Sequence, residues 1–210
     1  DTRAALPDVK FSLDTYILVK HYISDTYPLN CLSSPNMEAD DIIAVVLPMV
    51  PMAQKVFIVT CDHDFYQITR PNSEIIDPRS MYLDTDYQNL DEDARAMTCI
   101  EKCLKGDIAD DIDRSYAKGV RLNFPDLIAA IHNSGVANYA SELSTDKLSK
   151  EATVLAEILT RHEISHVRYK HNYEMVSFAA IPNSRREDIR RNCEHIIQEA
   201  LNNDPYGPLP

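Results

Sequence analysis

Lys55-Val56-Phe57-Ile58-Val59-Thr60, followed at once by Cys61-Asp62-His63-Asp64-Phe65, decides how this chain is read. Four apolar residues run consecutively from Val56 to Val59, β-branched or aromatic and without helical spacing, which predicts a short strand. Apolar residues at both alternating positions predict a strand of a parallel sheet, buried on both faces. Asp62 and Asp64 then fall at the carboxyl end of that strand, where open α/β sheets place their ligands.

On the amino-terminal side, Glu38-Ala39-Asp40-Asp41-Ile42-Ile43-Ala44-Val45-Val46 crowds three carboxylates into four residues ahead of an apolar run. Asn36 is the expected cap of this helix, and Pro48 its expected end. Further upstream, Tyr16, Ile17, Val19, Lys20 and Ile23 fit one amphipathic helix. On the carboxyl side, residues 74–87 predict a short strand and turns around Ile75, Ile76 and Tyr82. Asp91 should cap a helix whose Ala94, Met97, Ile100 and Leu104 share a face and whose stop is Gly106. A second acidic group follows directly, Gly106-Asp107-Ile108-Ala109-Asp110-Asp111-Ile112. Residues 124–132 and 150–171 predict further helices. Ser184 to Glu187 matches a capping box for a last helix with Ile189, Cys193, Ile196, Ile197 and Leu201 on one stripe, before an irregular Pro-rich tail.

The 210 residues suffice for one sizeable core with an extension, and 44% apolar with 26% charged residues is the balance of an ordinary globular protein. Neither a membrane span nor a secretory leader is visible, so a cytoplasmic protein is expected. Five cysteines without a C-x-x-C pair argue against a disulfide framework or a zinc ribbon; Cys99 and Cys103, one helical turn apart, read as buried reduced thiols. A net charge of -12 argues against a nucleic-acid partner unless the acids are used to hold cations.

The acids fall into three groups: Glu38, Asp40 and Asp41; Asp62 and Asp64; Asp107, Asp110 and Asp111. Singly, each has a plain structural explanation, since acids suit the first turn of a helix and Asp is common in turns. If the core brings the three edges together, their mutual repulsion requires neutralising cations. Oxygen-only ligands select magnesium or manganese, and two such ions suit phosphodiester hydrolysis.

The order EADDIIA, then KVFIVT with CDHDFYQI, then LKGDIADDI resembles the flap endonuclease and 5′ nuclease superfamily, and within it the phage-type RNase H branch, to which Arg168 to Pro182 and the terminal helix are also similar. That resemblance implies an α/β fold: a PIN-like parallel-sheet nuclease core over residues 1–112, with its first strand missing, and a helical region over 113–210 with a degenerate helix-hairpin-helix. It implies a 5′-3′ exonuclease or flap endonuclease acting on DNA or RNA-DNA duplexes, as in primer removal beside replication proteins. Glu38, Asp40, Asp41, Asp62, Asp64, Asp107 and Asp110 match metal-site positions, with Asp62 and Asp64 central to catalysis, whereas Gln67 serves the fold. The opening DTRAALPD is similar to the end of a Y-K-x-x-R segment, which makes Arg3 a phosphate contact and starts the chain inside the nuclease fold. Of a Gly-rich duplex-gripping turn only Gly119 remains; Arg114, Lys118 and Arg121 are read as phosphate contacts, with a solvated basic loop the equal alternative.

Three rival readings remain. One takes the chain as a nucleic-acid-binding remnant that does not cleave. His162-Glu163-Ile164-Ser165-His166 is a literal H-E-x-x-H, which on a helix would hold zinc for a peptidase, with Glu187 at a plausible distance for a third ligand. VFIVTCDHD with GDIADD resembles a haloacid-dehalogenase phosphatase, over too short an interval and without use of EADD. Arg185, Arg186, Arg190 and Arg191 form a basic strip whose default role is a solvated face.

Overall fold

The computed structural model describes residues 30–202, except 81, 84–89 and 109, together with residues 15, 17–19, 21, 22 and 26. Arg3, residues 16, 20 and 23 of the helix expected over residues 16–23, and the tail from residue 203 lie outside the described residues; residues 17–19, 21 and 22 are helical. From residue 30 the chain forms α1 (Ala39–Val46), β1 (Val56–Val59), β2 (Ser73–Asp77), β3 (Tyr82–Leu83), α2 (Glu92–Lys105), α3 (Phe124–Asn133), α4 (Lys150–Arg161), α5 (His166–Val176) and α6 (Asn183–Asn202). Short 3-10 segments at Leu47–Met49, His63–Ile68, Ala137–Ser144 and Phe178–Ala180 connect them.

This is an α/β protein with a small mixed sheet and mostly helical content. β1 pairs in parallel with β2, Ile58 opposite Ile75, and β2 pairs antiparallel with β3 in the order β1-β2-β3. The expectation of burial on both faces of β1 is not met. Ile58 is buried, but Phe57 is 50% and Val59 59% exposed, because the elements of the first core cover one face and no described residue covers the other to the same degree.

Two apolar clusters hold the fold. The first joins Ile42, Val45, Ile58, Phe65 and Ile75 to Ile189, Cys193 and Ile197 of α6, so the last helix returns to pack on α1. The second gathers Ile100, Cys103 and Leu104 of α2 with Leu127, Ile131, Leu155, Leu159, Tyr169 and Tyr173. The predicted stripes of α2 and α6 are therefore the buried ones. None of the five cysteines is in a disulfide: Cys103 and Cys193 are buried, Cys99 is intermediate, and Cys31 and Cys61 are exposed.

Several local expectations hold. Asp91 caps α2 by accepting from Ala94 N at 2.7 Å, and Gly106 ends it at φ 74°. Gln67 Nε2 donates to the Val176 carbonyl at 3.0 Å, a role in the fold. Others are corrected. Glu38, not Asn36, stands at the cap position of α1, and Asn36 adopts φ 58° in the turn before it. Ser184 lies inside α6, which begins at Asn183, and the Pro182 carbonyl accepts from Arg186 N, so no capping box forms. The helix expected over 150–171 breaks into α4 and α5.

That break removes the geometry of H-E-x-x-H. His162 follows the last residue of α4, Glu163 takes φ 57°, and His166 is the first residue of α5. The two imidazoles do not share one helical face, and His166 Nε2 lies 3.0 Å from Thr160 Oγ1. The basic strip also changes: Arg186 turns inward and donates to the carbonyls of Ile181, at 3.0 Å, and Phe178, leaving Arg185, Arg190 and Arg191 exposed.

Candidate metal centre

The strand places the first two acids. After β1 the chain turns at Thr60, whose Oγ1 accepts from Asp62 N at 3.0 Å. Asp62 Oδ1 in turn accepts from Asp64 N at 2.9 Å and caps the 3-10 segment that starts at His63. Phe65 and Tyr66 anchor that segment in the first core, and His63 stacks on Tyr66 with ring centroids 5.0 Å apart. Asp62 thus stays exposed while Asp64 is drawn half into the protein.

The second acidic group is placed by the end of α2. Gly106 swings the chain out of the helix, and residues 107–112 close as a loop in which Asp107 N donates to Ile112 O at 2.9 Å and Ile112 N to Asp107 O at 2.8 Å. The loop is tied down behind: Ser115 N donates to Leu104 O at 2.9 Å, and the buried Asn172 of α5 donates to Cys103 O at 3.0 Å and Asp113 O at 2.7 Å. Asp107 is half-buried, Asp110 is exposed, and Asp111 carries φ 58°.

Because α2 packs on the 63–68 segment, the two groups meet across Lys102. Its Nζ lies 2.6 Å from Asp64 Oδ1 and 3.0 Å from Asp107 Oδ2. Burial would lower the lysine pKa, but the hydrogen bonds and charges of Asp64 and Asp107 outweigh it and raise it to about 12. Asp64 is shifted up from the ordinary carboxylate value, first by burial and further by the nearby charges of Asp62 and Asp110, against the opposing pull of Lys102. Asp64 therefore feels the charges of Asp62 and Asp110 directly and is joined to Asp107 through Lys102. Lys102 was not among the residues singled out in the sequence; its place in the last turn of α2, just before Gly-Asp, was the available signal.

The EADD acids are placed differently. Glu38 is exposed, while Asp40 and Asp41 occupy the first turn of α1, where the helix dipole favours them. Asp40 and Asp62 line one concavity of about 540 Å³ with Ile43, Phe57 and Val59. Asp41 is raised by burial and by Asp40, and lowered by Arg185 and Arg186 of α6. A larger cavity of about 590 Å³ lies between the two apolar clusters, and none of the predicted acids lines it. Among the described residues no three His, Cys, Asp or Glu side chains stand close enough to form a ready-made metal cage. Arg114, Lys118 and Arg121 lie exposed on the loop between α2 and α3, with Arg114 over the ring of Tyr116 at 5.4 Å.

The raised Asp64 pKa has a thermodynamic consequence. A carboxyl whose folded pKa exceeds its unfolded value binds its proton more tightly when folded, so its contribution to stability falls as pH rises from the unfolded value through the raised one. Asp64→Asn should flatten this slope as pH rises past the ordinary carboxylate value in urea melts without divalent cations. Lys102, whose pKa is also raised, has the same sense in a higher window: its contribution is complete below its unfolded value of 10.5 and is lost as pH passes about 12.

No protein-family model matches this chain, and no curated protein matches it. No helix among the described residues is long and apolar enough to cross a membrane.

Proposed function

We propose that the protein is a divalent-metal-dependent 5′ nuclease, cytoplasmic, hydrolysing phosphodiesters at 5′ ends or flaps of DNA or RNA-DNA hybrids, as in primer removal beside replication proteins. The observation that carries this reading is that carboxylates from two separate segments, Asp64 after β1 and Asp107 after α2, meet at one ammonium group, with Asp62 and Asp110 near enough for their charges to act on Asp64. The order of the EADD, D-x-D and GD-x-x-D segments supports it.

The donor set fits magnesium or manganese, because all four side chains offer carboxylate oxygens. Asp64 and Asp107 would hold the ions from the half-buried side, Asp62 and Asp110 from the exposed side, and Glu38, Asp40 and Asp41 would add charge from α1. When bound, such ions activate water and neutralise charge on the phosphate. The Asp62 cap fixes the backbone that carries Asp64, while Arg114, Lys118 and Arg121, with Arg3, offer phosphate contacts that orient the strand without reading its sequence. Cation binding also answers the charge problem, since an acid excess repels a polyanion unless it is neutralised.

The test is a 5′-labelled flap or RNA-DNA duplex given to the protein with magnesium. Magnesium-dependent product that falls to background in Asp62→Ala is the expected result. No such product, or undiminished cleavage by Asp62→Ala, overturns the proposal. A second reading, nucleic-acid binding without cleavage, draws on the ammonium already seated among the acids; it predicts retention of the same duplex with no product.

A further inference from the structure

Lys102 is a half-buried lysine on α2 whose ammonium joins two carboxylates of different segments. Asp107 lies just past the negative end of α2, and Asp64 is partly withdrawn from water, so neither is well placed to stay charged alone. The ammonium answers both costs at once. Its Nζ stands 2.6 Å from Asp64 Oδ1 and 3.0 Å from Asp107 Oδ2, and a magnesium ion bridging them would need oxygens at roughly 2.1 Å. Two cations cannot share that space, and the long lysine stem allows the ammonium to leave without moving the helix.

We propose that Lys102 is an internal counter-cation that holds the Asp64-Asp107 pair together in the metal-free protein and must be displaced for a divalent ion to bind there. The inference rests on the metal reading of the site. It makes Lys102 a positioning residue that sets metal affinity: the lysine preorganises the two carboxylates and at the same time competes for them. Displacement also delivers a free ammonium to the rim of the site, beside the position of an incoming phosphate.

Manganese binding, followed by electron paramagnetic resonance of the free ion, gives a readout independent of cleavage. Lys102→Met, which removes the charge and keeps the stem, should bind manganese roughly tenfold more tightly than the unaltered protein, and Lys102→Arg should remain weak. Acetic anhydride labelling of the unaltered protein, read by mass spectrometry, needs no variant to fold: Lys102 should be protected without metal and become reactive as manganese saturates, while Lys105 stays constant. Equal manganese affinity of Lys102→Met and the unaltered protein, or Lys102 labelling that does not rise with saturation, overturns the inference and leaves the metal reading standing. No manganese binding by either protein removes the metal reading, and the inference with it.

Discussion

Gly106→Ala is expected to destabilise the protein by about 3 kcal/mol or more, the largest effect of a methyl group added at any of the described glycines. Gly106 sits at φ 74°, where a side chain is strained, and a Cβ built there would meet Asp113 C at 2.7 Å and Arg114 N at 2.8 Å, with the Ile112 carbonyl oxygen closer still. All three are backbone atoms of the loop that carries Asp107 and Asp110, so relief requires that loop to move. Gly135 gives the control: φ is 64°, but nothing lies within 4 Å of the added methyl, and only the conformational cost of about 1 kcal/mol is expected. Urea unfolding of both variants separates the terms. Equal losses would show that steric contact at Gly106 contributes nothing.

Asn172→Leu should cost about 2–4 kcal/mol. The amide is 1% exposed and satisfies the carbonyls of Cys103 and Asp113, one in α2 and one at the base of the acidic loop. Leucine keeps the volume and leaves the buried Cys103 carbonyl and the part-buried Asp113 carbonyl without this donor, and a lost hydrogen bond is most expensive at the buried one. Stability falls, and the amides of Asp107 and Ile112, which close the loop on each other, should exchange with solvent faster than those of α6. Unchanged exchange in the loop would detach Asn172 from the site and leave it a core residue only.

Both residues escape a motif reading for the same reason. Gly106 is legible as a helix stop, because a glycine after a periodic apolar run announces one, but its close packing against residues 112–114 requires the loop to fold back. Asn172 is an amide in the middle of the HVRYKHNYEMV segment, unremarkable until α5 lies against α2. Lys102 likewise reads as a basic residue suited to the end of a helix. H-E-x-x-H shows the converse: a spacing that satisfies a pattern loses its meaning once Glu163 takes a left-handed conformation and splits the helix.

The sequence by itself determined the strand at Val56 to Val59, the cap at Asp91, the end of α2 at Gly106, the buried stripes of α2 and α6, and the positions of the acids at the ends of these elements. Such features depend on hydrogen bonds and apolar spacing within a few residues, so local composition carries them. Only the tertiary structure decided that Asp64 and Asp107 share Lys102, that Arg186 turns inward, that one face of β1 is left open among the described residues and that α6 returns to the first core. Those facts depend on which surfaces pack together over long stretches of chain, and a charge has no partner until that packing supplies one.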